Sequence, residues 1–346
     1  MTPIHSPNPP PLDVTQTHPV KEFKHASPLL GCRFDPTGRY VFAGAQDNTV
    51  QRWELDGGKK TALTGHKSWI RALAFAVAEK KLFSASYDGK VLVWPLDVEA
   101  PAVEKTIDAH KGWVRALAVS PDGKLLASCG NDQLVKLWSV PRLAAGEKSA
   151  DDPFVRELAG HECHVYNTAF HPDGKYLVSG DLKGVVKVWD HAKGTAERAM
   201  DASVLHKYDP NFMADHGGVR SMAFSRDGAL LACAGITNVS NAFAGVGNPL
   251  VVLFDWAAGK PKQLLKPKEN FQGTAWGVVC HERGFLASVG GGNGGVLWFW
   301  KPEQAQDTFQ LKLPMNARDL DLHPDGRLLA IAFADGALRV YEMGPK

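Results

Sequence analysis

Histidine, serine and aspartate recur at regular intervals along this 346-residue chain. His66 is followed by Ser84 and Asp88, His110 by Ser128 and Asp132, and His161 by Ser179. These are the residue types of a nucleophilic hydrolase: a hydroxyl that attacks, an imidazole that takes its proton, and a carboxylate that orients the imidazole. The run His161-Glu162-Cys163-His164 has the side chains of a metal site. Gly290-Gly291-Gly292-Asn293-Gly294-Gly295 has the composition of a phosphate-binding loop. Each of these readings meets an objection. A catalytic constellation is built once, whereas this one repeats. One short cluster supplies too few converging ligands for zinc. The glycine run lies between predicted strands and opens no helix, so it reads as a permissive turn. The sequence therefore predicts no catalytic residues, no metal and no cofactor.

The spacing of these residues belongs to a larger repeat. Gly65-His66 leads to Ile70, Leu73 and Phe75, a turn, Leu82-Phe83-Ser84, Asp88-Gly89 and Val91-Leu92-Val93-Trp94. The same frame returns from His110 to Trp138, with Pro121-Asp122-Gly123 at the turn, and from His161 to Trp189, with Pro172-Asp173-Gly174. Weaker copies open at His25, His216, Phe271 and Leu313 and close at Trp53, Phe254, Trp300 and Tyr341. Internal similarity at forty-odd residues marks a repeat architecture. Short apolar runs alternating with period two, bounded by Gly, Pro and Asp turns, predict three antiparallel strands between each His and Trp, and a shorter fourth beyond. Four strands repeated seven times predict an all-β, seven-bladed β-propeller of four-stranded antiparallel blades. The last copy ends near Met343 without a fourth strand, while Val20 to Lys24 is a strand-like segment with no partner. Pairing the two closes the ring and removes both open edges. The domain reading is a Pro-rich arm over 1–19, extended or disordered, followed by the propeller over 20–346.

Composition is consistent with this. Lys and Arg number 39 against 37 Asp and Glu, a net charge of +2, which disfavours a broad nucleic-acid stripe or an acidic solvating chain. Hydrophobic residues make up 44%, enough for a substantial core. Five scattered cysteines with no C-x-x-C spacing fit a reducing compartment, and no run has the length of a membrane span. The chain reads as soluble and cytoplasmic, with its oligomeric state open.

The Gly-His openings, Pro-Asp-Gly turns, Leu-Ala-Ser runs and closing Trp-Asp resemble the WD-repeat β-propeller family, over roughly residues 20 to 343. That resemblance implies a structural role for the repeated polar residues: a hydrogen-bonded tetrad of His, Ser, Asp and Trp within a blade. His66, Ser84, Asp88 and Trp94 form one full set, and His110, Ser128, Asp132 and Trp138 another. Elsewhere the pattern lapses. Ala43 stands for Ser in the first unit, and Lys183 stands where Asp belongs in the fourth.

The resemblance also implies that partners dock on the face bearing the fourth-to-first and second-to-third loops. The residues after the first-strand anchors are Leu30, Arg71, Arg115, Tyr166, Arg220, Trp276 and Arg318. Two residues earlier stand Trp69, Trp113 and His164, and before the second turn Gln46, Tyr87 and Asn131. Trp, Tyr and Arg dominate binding hot spots, and with Lys183 this set predicts an anion-binding face. The expected function is a non-catalytic interaction scaffold for a protein partner, acidic or phosphorylated. The alternatives are a binder of a phosphate-bearing ligand or single-stranded nucleic acid on the same face, or a channel-mouth enzyme or metal site. Stacking of the Trp and Arg side chains on one another, with carboxylates across the channel, is the competing structural reading. Insertions at Asp201 to Asp215 and Ile236 to Pro249 are expected beside Arg220, and one at Pro141 to Pro153 on the opposite face.

Overall fold

The computed structural model describes residues 12–146, 151–241, 246–292 and 294–346. Among them are seven four-stranded antiparallel sheets and one two-stranded hairpin. Six sheets run in chain order and make blades 1 to 6, over residues 29–64, 70–108, 114–158, 165–201, 221–265 and 273–313. Blade 7 takes its first three strands from 317–342 and its outermost from His18–Lys24, which pairs with Ala337–Glu342. The first strand of each blade touches those of its two neighbours, and the cycle closes where blade 7 meets blade 1.

Seven buried apolar clusters lie among the described residues, one at each junction between blades. A middle strand is therefore covered on both faces, and strict alternation is not what it shows. In Tyr40–Ala45, Lys81–Ser86 and Leu125–Gly130 every residue after the first is buried. Alternation survives at the rim, as in Lys105–Asp108, where only one face meets a neighbour. This follows from the radial arrangement: inner strands are packed on two sides and outer strands on one.

The Pro-Asp-Gly turns do more than reverse the chain. His171 Nε2 donates to the Gly228 carbonyl at 3.0 Å, and His323 Nε2 to the Gly38 carbonyl at 3.1 Å, each reaching into the turn of the next blade. The other ring nitrogen, Nδ1, accepts from the backbone amide two residues on, at Asp173 and Asp325. Both glycines have positive φ, and a Cβ on either would lie 2.3 to 2.5 Å from the imidazole. Glycine is needed at these positions for the turn and for the latch together.

The predicted insertions form defined elements over their described residues, with 242–245 of the 236–249 insertion lying outside them. Residues 201–215 supply a short 3-10 turn, Ser203–Leu205, and a hairpin pairing His206–Asp209 with Ala214–Gly217. The second-to-third connection of blade 5 extends its own strands, Leu230–Asn241 and Val246–Asp255, beyond the blade. The hairpin packs against Leu230–Asn241, so two ribbons stand together on this side of the ring. In the predicted arm, residues 12–19 are structured: Leu12 and Val14 pack on the cluster between blades 6 and 7, and His18 begins the closing strand. Residues 1–11 lie outside the described residues, as do 147–150 of the 141–153 insertion, which opens with a short helix, Val140–Ala144.

Candidate interaction site at the channel mouth

A local irregularity positions the predicted face. In six blades the pairing between first and second strands slips at one residue: Leu30, Arg71, Arg115, Tyr166, Trp276 and Arg318. A bulge re-aims the side chain it carries. In blade 5 Arg220 occupies the corresponding place, immediately before the strand Ser221–Phe224. Leu30 and Gln46 of blade 1, Trp69, Arg71 and Tyr87 of blade 2, Arg220, Trp276 and Arg318 line one cavity of about 350 Å³. Contributions from opposite sides of the ring identify it as the channel mouth. A smaller recess that shares Arg71, Tyr87, Arg220 and Trp276 with it adds Arg115 and Tyr166.

Arginines and rings alternate around this mouth. Arg115 lies 4.5 Å from the ring centres of both Trp113 and Tyr166. Arg220 lies 4.6 Å from Tyr166 and 5.3 Å from Trp276, and Arg318 is 5.3 Å from Trp276 on its own account. Tyr87 stacks flat on Trp113 at 4.1 Å, with Trp69 a further 6.1 Å along. Trp69 and Trp113 remain 44% and 41% exposed. The stacking half of the competing reading is therefore present, but the carboxylates are nearly missing. Among the described residues, Arg115, Arg220 and Arg318 form no ion pair, and Arg71 reaches only Asp319, at 4.0 Å. Arg115 Nε donates to Asn131 Oδ1 at 2.8 Å, and Arg71 donates to the Leu30 carbonyl at 2.7 Å. Burial, followed by repulsion from Arg115 and Arg71, holds the Arg220 guanidinium below its ordinary pKa, against the pull of nearby tyrosines. Burial and Arg71 act likewise on Arg318. His164 is lowered by burial and by the charge of Arg115. Lys183 is exposed on its turn, and its side chain joins none of these contacts.

The repeated polar residues form closed networks within blades. Trp94 Nε1 donates to Ser84 Oγ at 2.8 Å, Ser84 and His66 Nε2 are 2.8 Å apart, and His66 Nδ1 meets Asp88 at 3.0 Å. The aspartate can only accept, which places the proton of a neutral imidazole on Nδ1 and leaves Nε2 to accept, so the chain runs Trp to Ser, Ser to His, His to Asp. Trp138, Ser128, His110 and Asp132 repeat it. Blade 4 departs from expectation. Its carboxylate is supplied by Asp181, two positions before Lys183, at 2.8 Å from His161 Nδ1, and Ser179 and Trp189 complete the set. Asp181 also accepts from the amides of Lys183 and Val185, so one side chain holds both the histidine and the turn. Blade 1 keeps only the His25–Asp47 contact at 2.7 Å. In blade 6 Ser288 turns to the Gly277 carbonyl, and Trp300 to that of Lys266.

A group not visible in the repeat lies where the ring closes. Asp319 accepts from the Cys32 amide at 3.2 Å and from Arg33 at 2.8 Å, while Asp321 accepts from the Phe34 amide at 2.8 Å. Burial pushes the Asp321 carboxyl up to about 6, against the pull of Arg33 and the Phe34 amide. An unfolded aspartate titrates near 4, so folding favours the protonated form, and this group's contribution to stability declines as pH rises from about 4 to above 6. Asp321→Asn, which keeps an acceptor for Phe34, is expected to flatten that decline. Urea midpoints measured across the interval test this, and parallel curves for the two proteins would refute it.

Other features carry less chemistry. A groove of about 360 Å³ between blades 1 and 2 contains Arg39, Arg52 and Lys59, all engaged with Glu54, Glu99 or backbone carbonyls. Among the described residues no group of three or more His, Cys, Asp or Glu converges as a metal site, and no helix is long and apolar enough to cross a membrane.

Comparison with known families agrees with this architecture. The model of the WD domain, G-beta repeat, matches residues 17–54, 57–95, 102–139, 153–190 and 210–238, more than half of the chain. The chain belongs to the WD40 family. In general, WD40 propellers are protein-interaction scaffolds, typically non-catalytic, that bind other proteins. Among curated WD40 relatives, the chain is 35% identical over 95 residues to the nuclear distribution protein PAC1 of Arthroderma otae, covering 26% of this chain and 21% of that protein. It is 36% identical over 93 residues to nuclear distribution protein nudF of Emericella nidulans, again 26% and 21%. With mouse WD repeat and FYVE domain-containing protein 1 it shares 38% over 82 residues, 22% and 20%. Each match spans about a fifth of the relative's length.

Proposed function

We propose that this WD40 propeller is a non-catalytic scaffold that docks a protein partner on its Trp- and Arg-rich face. An anionic group of the partner, an acidic or phosphorylated side chain, enters the mouth. Arg71, Arg115, Arg220 and Arg318 receive it, and Trp69, Tyr87, Trp113 and Trp276 provide the apolar surround. One observation carries this reading: four arginines from four blades face the mouth and, among the described residues, one carboxylate, Asp319, is in reach of any of them. Arginine with stacked aromatics is the composition of interface hot spots, and buried cations favour a counter-ion. Asn131 and His164 take supporting places, Asn131 by fixing Arg115. Lys183 supplies charge from the rim.

The test is capture of partners from native lysate by wild type and by the Arg71→Glu/Arg115→Glu variant. Recovery is expected to fall by about tenfold or more, since reversing charge at a desolvated contact costs several kcal/mol. Equal recovery, with the variant's melting curve unchanged, removes this face from consideration. A second reading, single-stranded nucleic acid, draws on the exposed Trp69–Tyr87–Trp113 stack beside Arg115. It requires affinity that falls steeply with salt.

A further inference from the structure

The docking reading leaves open which anion the mouth selects. Arg220 of blade 5 and Arg318 of blade 7 share the indole of Trp276 on the blade between them, each 5.3 Å from its centre. Rings engage the faces of these guanidiniums, while their N–H donors lie in the plane. Neither guanidinium donates a hydrogen bond to a protein group among the described residues, and Arg220 Nε is buried without a partner. Two cavity-lining guanidiniums with no protein acceptor for their N–H donors leave that place to an acceptor from outside. Arg71 stands in the same cavity with one nitrogen committed to the Leu30 carbonyl.

We infer that the group seated between Arg220, Arg318 and Arg71 is a phosphate monoester on a side chain of the partner, in preference to a carboxylate; this rests on the docking reading above. A carboxylate carries one charge on two oxygens, and one bidentate arginine balances that charge. Seated on Arg220 or Arg318, it would leave the other without a counter-charge and Arg71 with only Asp319, at 4.0 Å. A phosphate monoester carries nearly two charges at neutral pH and presents three acceptor oxygens, matching three arginines that approach from different blades. The pKa directions agree: burial and like charge disfavour the cationic forms of Arg220 and Arg318, and a dianion opposes both effects. The cavity, at about 350 Å³, has room for the phosphate and the first atoms of the side chain bearing it. Trp69, 44% exposed on the cavity wall, offers a surface to the residue beside it.

The experiment measures binding of the full chain to degenerate peptide pools with one fixed central residue: phosphoserine, aspartate or serine. Inorganic phosphate serves as competitor. The phosphoserine pool is expected to bind about tenfold or more tighter than the aspartate pool, and the serine pool more weakly still. Arg220→Met and Arg318→Gln should each lower phosphoserine affinity by roughly tenfold or more, with melting midpoints reported alongside. Arg318 is the less enclosed of the two, so its variant keeps the test decisive should Arg220→Met fail to fold. Equal affinity for the aspartate pool overturns the inference, as does indifference to the Arg318 variant. Inorganic phosphate binding as tightly as the phosphoserine pool also overturns it, because the site would then hold a free anion. Phosphatase treatment of the lysate separates the two levels. Capture that depends on Arg71 and Arg115 but survives phosphatase sinks the phosphate and leaves the docking face. Capture indifferent to both arginines sinks the face.

Discussion

A chain truncated before residue 25 is expected to lose its single cooperative melting transition and to self-associate. The closing strand His18–Lys24 pairs through six residues with Ala337–Glu342, and it is the only covering that edge has among the described residues. Phe23 is buried and stacks on Trp53 of blade 1 at 5.8 Å, so the strand ties the last blade to the first. Arg339 donates to Glu22 across the same pair at 2.7 Å. Losing one buried phenylalanine costs about 3–5 kcal/mol, a large part of the roughly 5–15 kcal/mol that separates folded from unfolded chains. The exposed edge adds a template for association. Calorimetry and size-exclusion chromatography of the two chains provide the check. Adding the peptide 12–24 back should restore the transition in part. A truncated chain that melts like the full one would show that the seam contributes little.

Ser84→Ala is expected to destabilise the protein by about 2–5 kcal/mol, far more than a surface Ser→Ala change. Ser84 Oγ receives the Trp94 indole N–H and engages His66 Nε2, and all three groups are buried. Removing the hydroxyl orphans one donor and one acceptor, each at a penalty of about 1–3 kcal/mol. The double variant Ser84→Ala/Trp94→Phe removes the orphaned donor as well, so its loss should fall short of the sum of the single losses. Urea unfolding of the four proteins closes the cycle. Strict additivity would mean that the network acts as independent contacts. The same chain lowers Asp88 to about 2, where bonds from His66 and the Lys67 amide outweigh the upward push of burial. Its contribution is present above about pH 4 and is lost as pH falls toward 2.

Much of this architecture is legible in the chain because it is written locally. The strand runs, the Pro-Asp-Gly turns and the His–Ser–Trp intervals recur within forty-odd residues, and each is set by neighbours in sequence. Closure was legible too, from a strand without a partner at one end and a blade short of a strand at the other. Where the structure departs from the repeat pattern, the causes are local as well. Lys183 stands at the same spacing from His161 as Asp88 from His66, but a carboxylate two residues earlier reaches the imidazole, because the strand end presents Asp181 to it. Period-two alternation was expected in strands that are in fact covered on both faces.

The sequence by itself determined the repeat, the number of blades, the closing strand and the residue types that begin each first strand. Tertiary structure alone decided what those residues do to one another. A bulge in six blades re-aims the residue after each anchor, and ring closure brings Arg71, Arg220 and Arg318 to one cavity from positions far apart in the chain. That Asp319 and Asp321 serve the seam between blades 7 and 1, while three of the four mouth arginines have no ion-pair partner among the described residues, also emerges only in space. The physical reason is range: hydrogen-bonded turns and strands are chosen over a few residues, whereas charge balance and cavity shape depend on groups that only the closed ring makes neighbours.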